Sequence, residues 1–200
     1  RQMCIRDRAM AVKRVISNKG KNTPGIDGAV WKTDKEKEDA IRNLQTKGFT
    51  ASPLRRIYIE KFGKKEKRPL GIPTMFDRAM QALQLLGLEP VAETKADTVS
   101  FGFRKYRGAF DAKEYAFSIL CRKDSPQWIL EGDIKGCFDN ISHEWLTKNV
   151  TMDKRVLRQF IKSGFVFENK LYPTKEGTPQ GGIISPTLDI LTLDGMEKLI

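Results

Sequence analysis

One stretch, residues 128–141, limits the fold of this chain more than any other. An apolar run ends there in the carboxylate of Asp133, and a short turn containing Gly136 leads to Phe138 and a second carboxylate, Asp139. The run predicts a buried strand that carries Asp133 at its exposed end. A strand is a stiff support, which a carboxylate needs when it ligates a hard divalent cation. A plain strand–turn–helix junction with a solvated aspartate fits this stretch equally well.

The charge balance narrows the class of partner. The 200-residue chain is about the size of one domain, and its hydrophobic content of 40% is enough for a core. Its formal net charge of +11 favours a polyanionic partner, above all nucleic acid. A soluble basic protein with scattered surface lysines is the alternative that charge alone leaves open.

Cysteine and histidine usage argues against a zinc site. Cys4, Cys121 and Cys137 form no Cys-x-x-Cys pair, and His143 is the single histidine of the sequence. Three widely spaced cysteines indicate a reducing compartment. No apolar run is long enough to span a membrane, and no secretory signal is recognised. We therefore expect a cytoplasmic protein without a membrane partner.

Two hairpins and several helices are predicted from local pattern. Alternation over residues 56–60, a basic run from Lys61 to Arg68 and a strand ending at Pro73 predict a basic hairpin. Its tip is either merely solvated or a cationic flap that closes over phosphates. A second hairpin is predicted over residues 165–173.

Helix starts are predicted where capping residues precede apolar periodicity. A basic helix covers Met10–Ser17, and Thr74 caps a long helix in which a salt bridge between Asp77 and Arg78 is expected. The other predicted starts are Thr33 or Asp34, Gly108, Ser142, Asp153, and Ser185 with Pro186 at N1. In the helix from Gly108, the side chains expected to face inward are Ala112, Tyr115, Ala116 and Ile119.

Two further segments suit contact with nucleic acid. Residues 100–107 interleave aromatic side chains with arginines, a pattern that fits stacking on bases as well as an ordinary core with arginines outside. Residues 176–186 contain Gly181 and Gly182, which would let a nucleotide or a template strand come close to the backbone.

Five motifs, in order along nearly the whole chain, carry a specific resemblance. They are Pro24-Gly25-Ile26-Asp27-Gly28, Arg68-Pro69-Leu70-Gly71-Ile72-Pro73 with Asp77-Arg78, Phe101-Gly102-Phe103-Arg104, Glu131-Gly132-Asp133-Ile134-Lys135-Gly136 with Phe138-Asp139-Asn140-Ile141, and Gly177-Thr178-Pro179-Gln180-Gly181-Gly182 with Ser185-Pro186. On these residues the chain resembles the reverse transcriptase part of bacterial group II intron-encoded proteins. The resemblance implies an α+β right-hand polymerase with fingers and palm and an N-terminal helical extension.

The resemblance also implies a chemistry. The family copies RNA into DNA with two Mg²⁺ ions, and phosphoryl transfer of this kind depends on metal clamping of the attacking and leaving oxygens. Asp133 matches the first metal-binding, catalytic carboxylate, and the backbone carbonyl of Ile134 would assist the second ion. Asp139 is expected to be structural.

Nucleotide and nucleic-acid contacts follow from the same match. Phe138 would stack under the incoming sugar and exclude a 2′-hydroxyl. The residues implied to bind the nucleotide are Arg68, Lys61, Lys64, Phe138 and Gln180, and those implied to contact nucleic acid are Arg78, Arg104, Arg107 and Gly181. The implied partners are intron RNA, a DNA primer or target and deoxynucleoside triphosphates, with a homodimer of the full-length protein left open.

The resemblance divides the chain into successive parts. Residues 9–50 are expected to form the RNA-contacting extension, 51–95 and 142–182 the fingers, 96–141 the first part of the palm and 183–200 the start of a palm helix. Residues 1–8 fit nothing that follows, and we set them aside as a helix start or a non-native extension.

Three departures from the family pattern affect the expected activity. Glu60 stands where the family usually has proline, which weakens the case for Lys61, and Asp189 and Ile190 replace the usual Ala-Asn. No Asp-Asp pair occurs in the sequence, although the family takes its remaining metal ligands from one. We expect a C-terminally truncated piece or a degenerate copy, inactive by itself because one carboxylate cannot hold two Mg²⁺ ions.

The sequence leaves two other functions open. The basic surface and the altered residues 189–190 also fit an intron RNA-binding maturase, or splicing factor, in which polymerase activity has lapsed. Another reverse transcriptase lineage, such as a retron or a diversity-generating element, is disfavoured by the loop Gly25-Ile26-Asp27-Gly28.

Overall fold

The computed structural model describes residues 4–60, 63 and 67–196, which form an α+β fold as the sequence predicts. The helices are α1 (Ile5–Ser17), α2 (Asp34–Asn43), α3 (Met75–Lys95), α4 (Ala109–Leu120), α5 (His143–Asn149), α6 (Lys154–Lys162) and α7 (Ser185–Leu193). The strands are β1 (Leu54–Glu60), β2 (Lys67–Ile72), β3 (Phe165–Phe167) and β4 (Lys170–Tyr172). Two short 3₁₀ turns, Lys19–Asn22 and Cys137–Asp139, complete the elements.

The strands form one sheet in the order β2-β1-β3-β4. β1 and β2 make an antiparallel hairpin, while β1 also pairs in parallel with β3, where Leu54 lies opposite Phe165. β3 and β4 make the second hairpin, whose turn residues Glu168 and Asn169 have φ of 49° and 61°. Left-handed values at both positions are what a two-residue type I′ turn requires. Both predicted hairpins are confirmed, and the sheet joins segments that are far apart in sequence.

The hydrophobic core lies among the helices. Val12 and Val15 of α1, Met80 of α3, Leu157 of α6 and Leu188 of α7 are all almost fully buried in one cluster. Buried side chains recur at helical spacing on α1 and α6, which pack one apolar face into the core, while α3 is buried on every side over residues 77–85. The predicted caps Thr33, Thr74, Ser142 and Asp153 each accept a hydrogen bond from a backbone N–H of the first turn.

Two helix starts differ from prediction. α1 begins at Ile5 instead of Met10, and the Arg8 guanidinium donates to the Arg42 carbonyl at 3.1 Å. Residues 5–8, which the sequence analysis set aside, therefore form the first turn of a helix. At α7 the N-cap is Ile184, since the Ser185 hydroxyl turns back to donate to the Pro179 carbonyl at 2.8 Å.

The predicted strand before Asp133 is wrong. Residues 128–134 have no regular secondary structure, and Trp128, Ile129 and Leu130 are 92%, 71% and 76% exposed. A strand needs a neighbouring strand to bond its backbone, and no described residue pairs with this segment. α4 likewise buries none of its side chains, so the inward face predicted for it is wrong: Tyr115 and Ile119 are exposed.

The loop after α1 is fixed tightly to the start of α3. The Arg55 guanidinium donates to the Pro24 carbonyl at 2.8 and 3.1 Å. Gly25 is buried so closely that a Cβ placed on it would lie 2.5 Å from the Thr74 Cα. Backbone cannot move aside as a flexible side chain can, so only glycine fits at this position.

This close approach predicts a stability difference between two glycines of the same loop. Gly25→Ala should lower the free energy of unfolding by about 1–3 kcal/mol, as overpacking does elsewhere. Gly20→Ala is the matched control, because a Cβ on Gly20 meets nothing within 4 Å. Urea unfolding monitored by tryptophan fluorescence measures both variants, and equal stabilities would contradict the close approach.

Candidate nucleotide and nucleic-acid site

A chain of hydrogen bonds links three segments that the sequence analysis assigned to the nucleotide site. The Arg68 Nε donates to the Gln180 Oε1 at 3.0 Å. The Gln180 Nε2 donates in turn to both carboxylate oxygens of Asp139 at 3.2 Å. β2, the turn before α7 and the 3₁₀ turn thus meet through one amide side chain. The network brings Arg68, Gln180 and Asp139 into contact, while nucleotide binding by the first two and a structural role for Asp139 stay predictions.

The turn from Gly177 to Gly182 is held by backbone bonds on both sides. The Gly71 N–H donates to the Gln180 carbonyl at 2.8 Å, and the Thr178 N–H donates to the Phe138 carbonyl at 2.6 Å. Gly177 has φ +82°, and a Cβ on it would lie 2.5 Å from the Phe138 carbonyl oxygen. Gly181, at φ +111°, approaches the Gly71 carbonyl just as closely, with 2.7 Å for its Cβ. Because Gly177 and Gly181 lack a Cβ, the turn can lie against both the 3₁₀ turn and β2.

The exit of this turn is bonded to the core. The Oε1 of Gln81, a buried residue of α3, accepts from the Ile183 N–H at 2.7 Å. His143 is buried as well, and its Nε2 lies 2.7 Å from the Gly177 carbonyl. His143 therefore packs at the start of α5 instead of facing an open site.

Phe138 lies at the edge of an open cavity. The 3₁₀ turn that carries it starts at Gly136, which is left-handed with φ +62°. The Phe103 ring meets the Phe138 ring edge-on, with centroids 5.9 Å apart. A cavity of about 220 Å³ next to Phe138 and Asp139 is lined further by Arg56, Phe165 and the turn that ends in Gln180. An aromatic ring, cations and an amide thus border one cleft.

Asp133 stands apart from this network. It is exposed, it accepts no hydrogen bond and forms no ion pair within the described residues, and Ile134 is 47% exposed. Among those residues no group of three or more His, Cys, Asp or Glu side chains could hold a metal ion. Mg²⁺ in a two-metal site needs several carboxylate oxygens. The residues that the structure describes therefore do not fit a complete two-Mg²⁺ site.

Lys61 and Lys64, predicted to bind the triphosphate, lie outside the described residues. Arg68, the remaining cation of that group, is exposed at the start of β2. The hairpin that carries it is confirmed, with Ile59 of β1 opposite Arg68.

Arg78 is placed differently from its predicted contact with nucleic acid. Its guanidinium is buried and donates to the carbonyls of Pro73, Gly20 and Thr23 at 3.0, 3.0 and 2.6 Å. Burial, and then the charge of Arg55, lower the pKa of Arg78. Because its N–H groups donate to the carbonyls of Gly20 and Thr23, Arg78 anchors the loop after α1.

Arg104 is also an internal anchor. Its side chain is 3% exposed, pairs with the Glu93 carboxylate and donates to the Asp97 carbonyl at 2.7 Å. Arg107 is more open: it lies 5.9 Å from the Phe101 ring centroid and donates to the Thr98 carbonyl at 2.7 Å. Of the three arginines that were predicted to contact nucleic acid, Arg107 alone has a partly exposed side chain.

The expected salt bridge between Asp77 and Arg78 is absent. The Asp77 Oδ2 instead accepts from the Thr74 hydroxyl at 2.7 Å and from the Ser52 N–H at 3.2 Å. Adjacent helical residues point in different directions, so Asp77 and Arg78 bond different loops. Burial is the main cause that raises the pKa of Asp77 from its ordinary 3.8 to about 6.

One contact had no signal in the sequence. The Cys137 thiol donates to the Oδ1 of Asp189 at 2.8 Å, joining the 3₁₀ turn to α7. Asp189 is 5% exposed, although an aspartate within an apolar helix is ordinarily expected at the surface. Local pattern cannot show which residue satisfies a buried carboxylate that is 52 positions away.

Comparison with known proteins covers almost the whole chain. A family model described as reverse transcriptase (RNA-dependent DNA polymerase) matches residues 59–200, and one described as the N-terminal domain of reverse transcriptase matches residues 3–44. The group II intron-encoded protein LtrA of Lactococcus lactis subsp. cremoris is 35% identical over 199 residues, which is 96% of this chain and 33% of LtrA.

Two further relatives show the same coverage. Protein YkfC of Escherichia coli strain K12 is 34% identical over 206 residues, 96% of this chain and 54% of that protein. A 91 kDa protein in a cob intron of Schizosaccharomyces pombe is 33% identical over 203 residues, 96% of this chain and 24% of that protein. The chain thus spans between a quarter and about half of the length of these relatives.

The environment of Asp77 predicts a pH-dependent stability. Because its pKa is raised in the folded state, the carboxyl stabilises the fold fully below about pH 4, and this contribution is lost as pH rises through about 6. The loss corresponds to about 3 kcal/mol. Asp77→Asn keeps an oxygen acceptor and avoids the buried charge, so it should gain stability relative to the native chain as pH rises from 4 to 7.

Urea unfolding at several pH values between 4 and 7 measures the difference. Asp153→Asn is the control with the opposite sign, because hydrogen bonds from Arg155 lower the pKa of Asp153. A difference between Asp77→Asn and the native chain that does not change with pH would show that Asp77 titrates normally.

Proposed function

The chain belongs to the reverse transcriptase family, with group II intron-encoded proteins among its relatives, and we propose that it forms the nucleotide-binding part of an RNA-directed DNA polymerase. The observation that supports this most directly is the network from Arg68 through Gln180 to Asp139. Gln180 lines the cleft next to Phe138 and accepts a hydrogen bond from Arg68, so the network joins the cation of the hairpin to the border of the cleft, where the resemblance assigns the incoming deoxynucleoside triphosphate.

Each of these residues has a distinct role in the proposal. Arg68 binds the triphosphate by charge-assisted hydrogen bonds, which are the strong ones for phosphate. Gln180 orients Arg68 and lines the nucleotide, since its amide is itself fixed by Asp139. Phe138 packs under the sugar and leaves no room for a 2′-hydroxyl. Gly181 lies where a strand of template could approach the backbone.

We propose Mg²⁺-dependent nucleotidyl transfer as the reaction, with Asp133 and the Ile134 carbonyl as this chain's contribution to metal binding. When bound, the ions would neutralise charge on the transferring phosphate. Because the described residues supply too few carboxylates for two ions, the remaining ligands must come from outside them. The proposed substrates are intron RNA and a DNA primer or target.

The domain division and cellular location are proposed on the same basis. The segments assigned to the fingers, residues 51–95 and 142–182, contribute β1–β2 and β3–β4 to one sheet, which supports placing them together. Residues 9–50 would contact RNA, and residues 96–141 and 183–200 would belong to the palm of a right-hand arrangement. No helix among the described residues has the length and hydropathy to cross a membrane. We propose a cytoplasmic protein.

The nucleotide site predicts a specific effect of removing Arg68. Arg68→Ala should weaken binding of dTTP to the chain on a poly(rA)·oligo(dT) duplex by about tenfold, since a charge-assisted contact to phosphate is lost. Arg155→Ala is the matched control, because Arg155 is an exposed cation of α6 bonded to Asp153. Equal dTTP affinity of the two variants, measured by fluorescence titration, would contradict the site.

The ligand count predicts that the 200-residue chain does not polymerise. Primer extension on poly(rA)·oligo(dT) with Mg²⁺ should yield no product, although dTTP binds, because Asp133 is the one carboxylate that the family match assigns to the metals. Extension by the chain, abolished by Asp133→Ala, would show that the missing ligands are present after all.

A maturase role without polymerase activity is the second candidate. The net charge of +11 and the substituted residues 189–190 favour it, as does the likeness to proteins encoded in introns. Specific binding should survive a rise in salt that removes phosphate-driven binding. If the host intron RNA binds no more tightly than a random RNA of equal length at 200 mM salt, the maturase role fails.

A further inference from the structure

We propose that Asp189 is a positioning residue, which holds the Cys137–Asp139 turn against α7 and thereby fixes the ring of Phe138 for sugar selection. The inference rests on the proposed nucleotide site and adds a residue to it. Asp189 does not line the cleft next to Phe138, so it would act through Cys137 and not by touching a nucleotide.

The contact satisfies a buried charge. Asp189 is 5% exposed, and the Cys137 thiol at 2.8 Å is its hydrogen-bond donor among the described residues. A buried carboxyl group without a hydrogen-bond partner is strongly destabilising, so the fold is constrained to keep Cys137 beside it. Burial first, and then the Asp189 carboxylate, raise the pKa of the Cys137 thiol to about 11. The thiol is therefore protonated at neutral pH and remains a donor.

Within the part of the chain that the structure describes, the contact is also the one side-chain hydrogen bond from the turn to α7. On the opposite side the turn is bonded through its backbone, by the Thr178 N–H to the Phe138 carbonyl, and through Asp139 to Gln180. Phe138 follows Cys137 directly, and its ring rests edge-on against Phe103. With the thiol fixed on one side and the carbonyl on the other, the turn cannot rotate about its axis. If the Asp189 contact were lost, only the bonds on the side of Thr178 and Gln180 would resist rotation of the turn.

The first test follows the turn itself and needs no nucleotide. In Asp189→Ala, amide hydrogen exchange at Thr178 and Asp139 should be at least about fivefold faster, because local opening of the turn becomes easier. Alanine suits a helix interior, so α7 should still form. The Leu157 N–H, which donates to the carbonyl of the α6 N-cap Asp153 at 2.9 Å, is the internal reference for global stability. Unchanged exchange at Thr178 would overturn the proposal.

Matched variants separate the hydrogen bond from the charge. Asp189→Asn keeps an acceptor and should restore most of the protection. Asp194→Asn removes one negative charge from the exposed end of the same helix and should change nothing. Cys137→Ala should reproduce the effect of Asp189→Ala, and the double variant should add no more, as expected for two partners in one interaction. Additive effects would show that the two residues act separately.

The second test measures the selectivity of the nucleotide site. The ratio of dTTP to UTP affinity on poly(rA)·oligo(dT) should fall by about threefold or more in Asp189→Ala and recover in Asp189→Asn, with Phe138→Ala as the reference for complete loss. A purely structural role would lower both affinities and leave the ratio unchanged, which would overturn the proposal. If the native chain shows no preference for dTTP, the proposed function fails, while hydrogen exchange still decides the role of Asp189.

Discussion

The contact between the Gly177–Gly182 turn and its two neighbours is the interaction on which the candidate site depends. A carbonyl of β2 and a carbonyl of the 3₁₀ turn each come so near the turn that a Cβ would fit on neither Gly177 nor Gly181. Such an approach brings Gln180 within reach of both Arg68 and Asp139 at once. Without it, Gln180 could not link Arg68 of the hairpin to Asp139 of the 3₁₀ turn.

Not every arginine of this basic chain is available to bind a polyanion. Two arginines that were predicted to contact nucleic acid bond other parts of the protein instead. Arg78 holds the loop after α1, and Arg104 holds the segment after α3 through Glu93 and backbone carbonyls. A buried guanidinium is stabilised when its rigid set of N–H donors meets several carbonyls in fixed positions, and donors used in this way are not free to bind phosphate. The net charge of +11 therefore overstates the number of cations available to a polyanion in this fold.

Local pattern predicted the elements whose partners are near in sequence or whose start is marked by a cap. The β1–β2 hairpin, the hairpin over residues 165–173 and the caps Thr33, Thr74, Ser142 and Asp153 depend on a few adjacent residues. The segment before Asp133 shows the limit of such prediction. Its apolar run has the composition of a buried strand, yet burial and strand pairing require neighbours that the described residues do not provide.

The sequence by itself determined the family, through short motifs of fixed spacing, and it determined both hairpins and most helix starts through local turn and capping residues. Only the tertiary structure decided which residues meet. It joined Arg68 to Asp139 through Gln180, separated Asp77 from Arg78, withdrew Arg78 and Arg104 into the interior and paired Cys137 with Asp189. These outcomes depend on packing between segments far apart in the chain, where desolvation selects the partner of each buried polar group and no local signal records the choice.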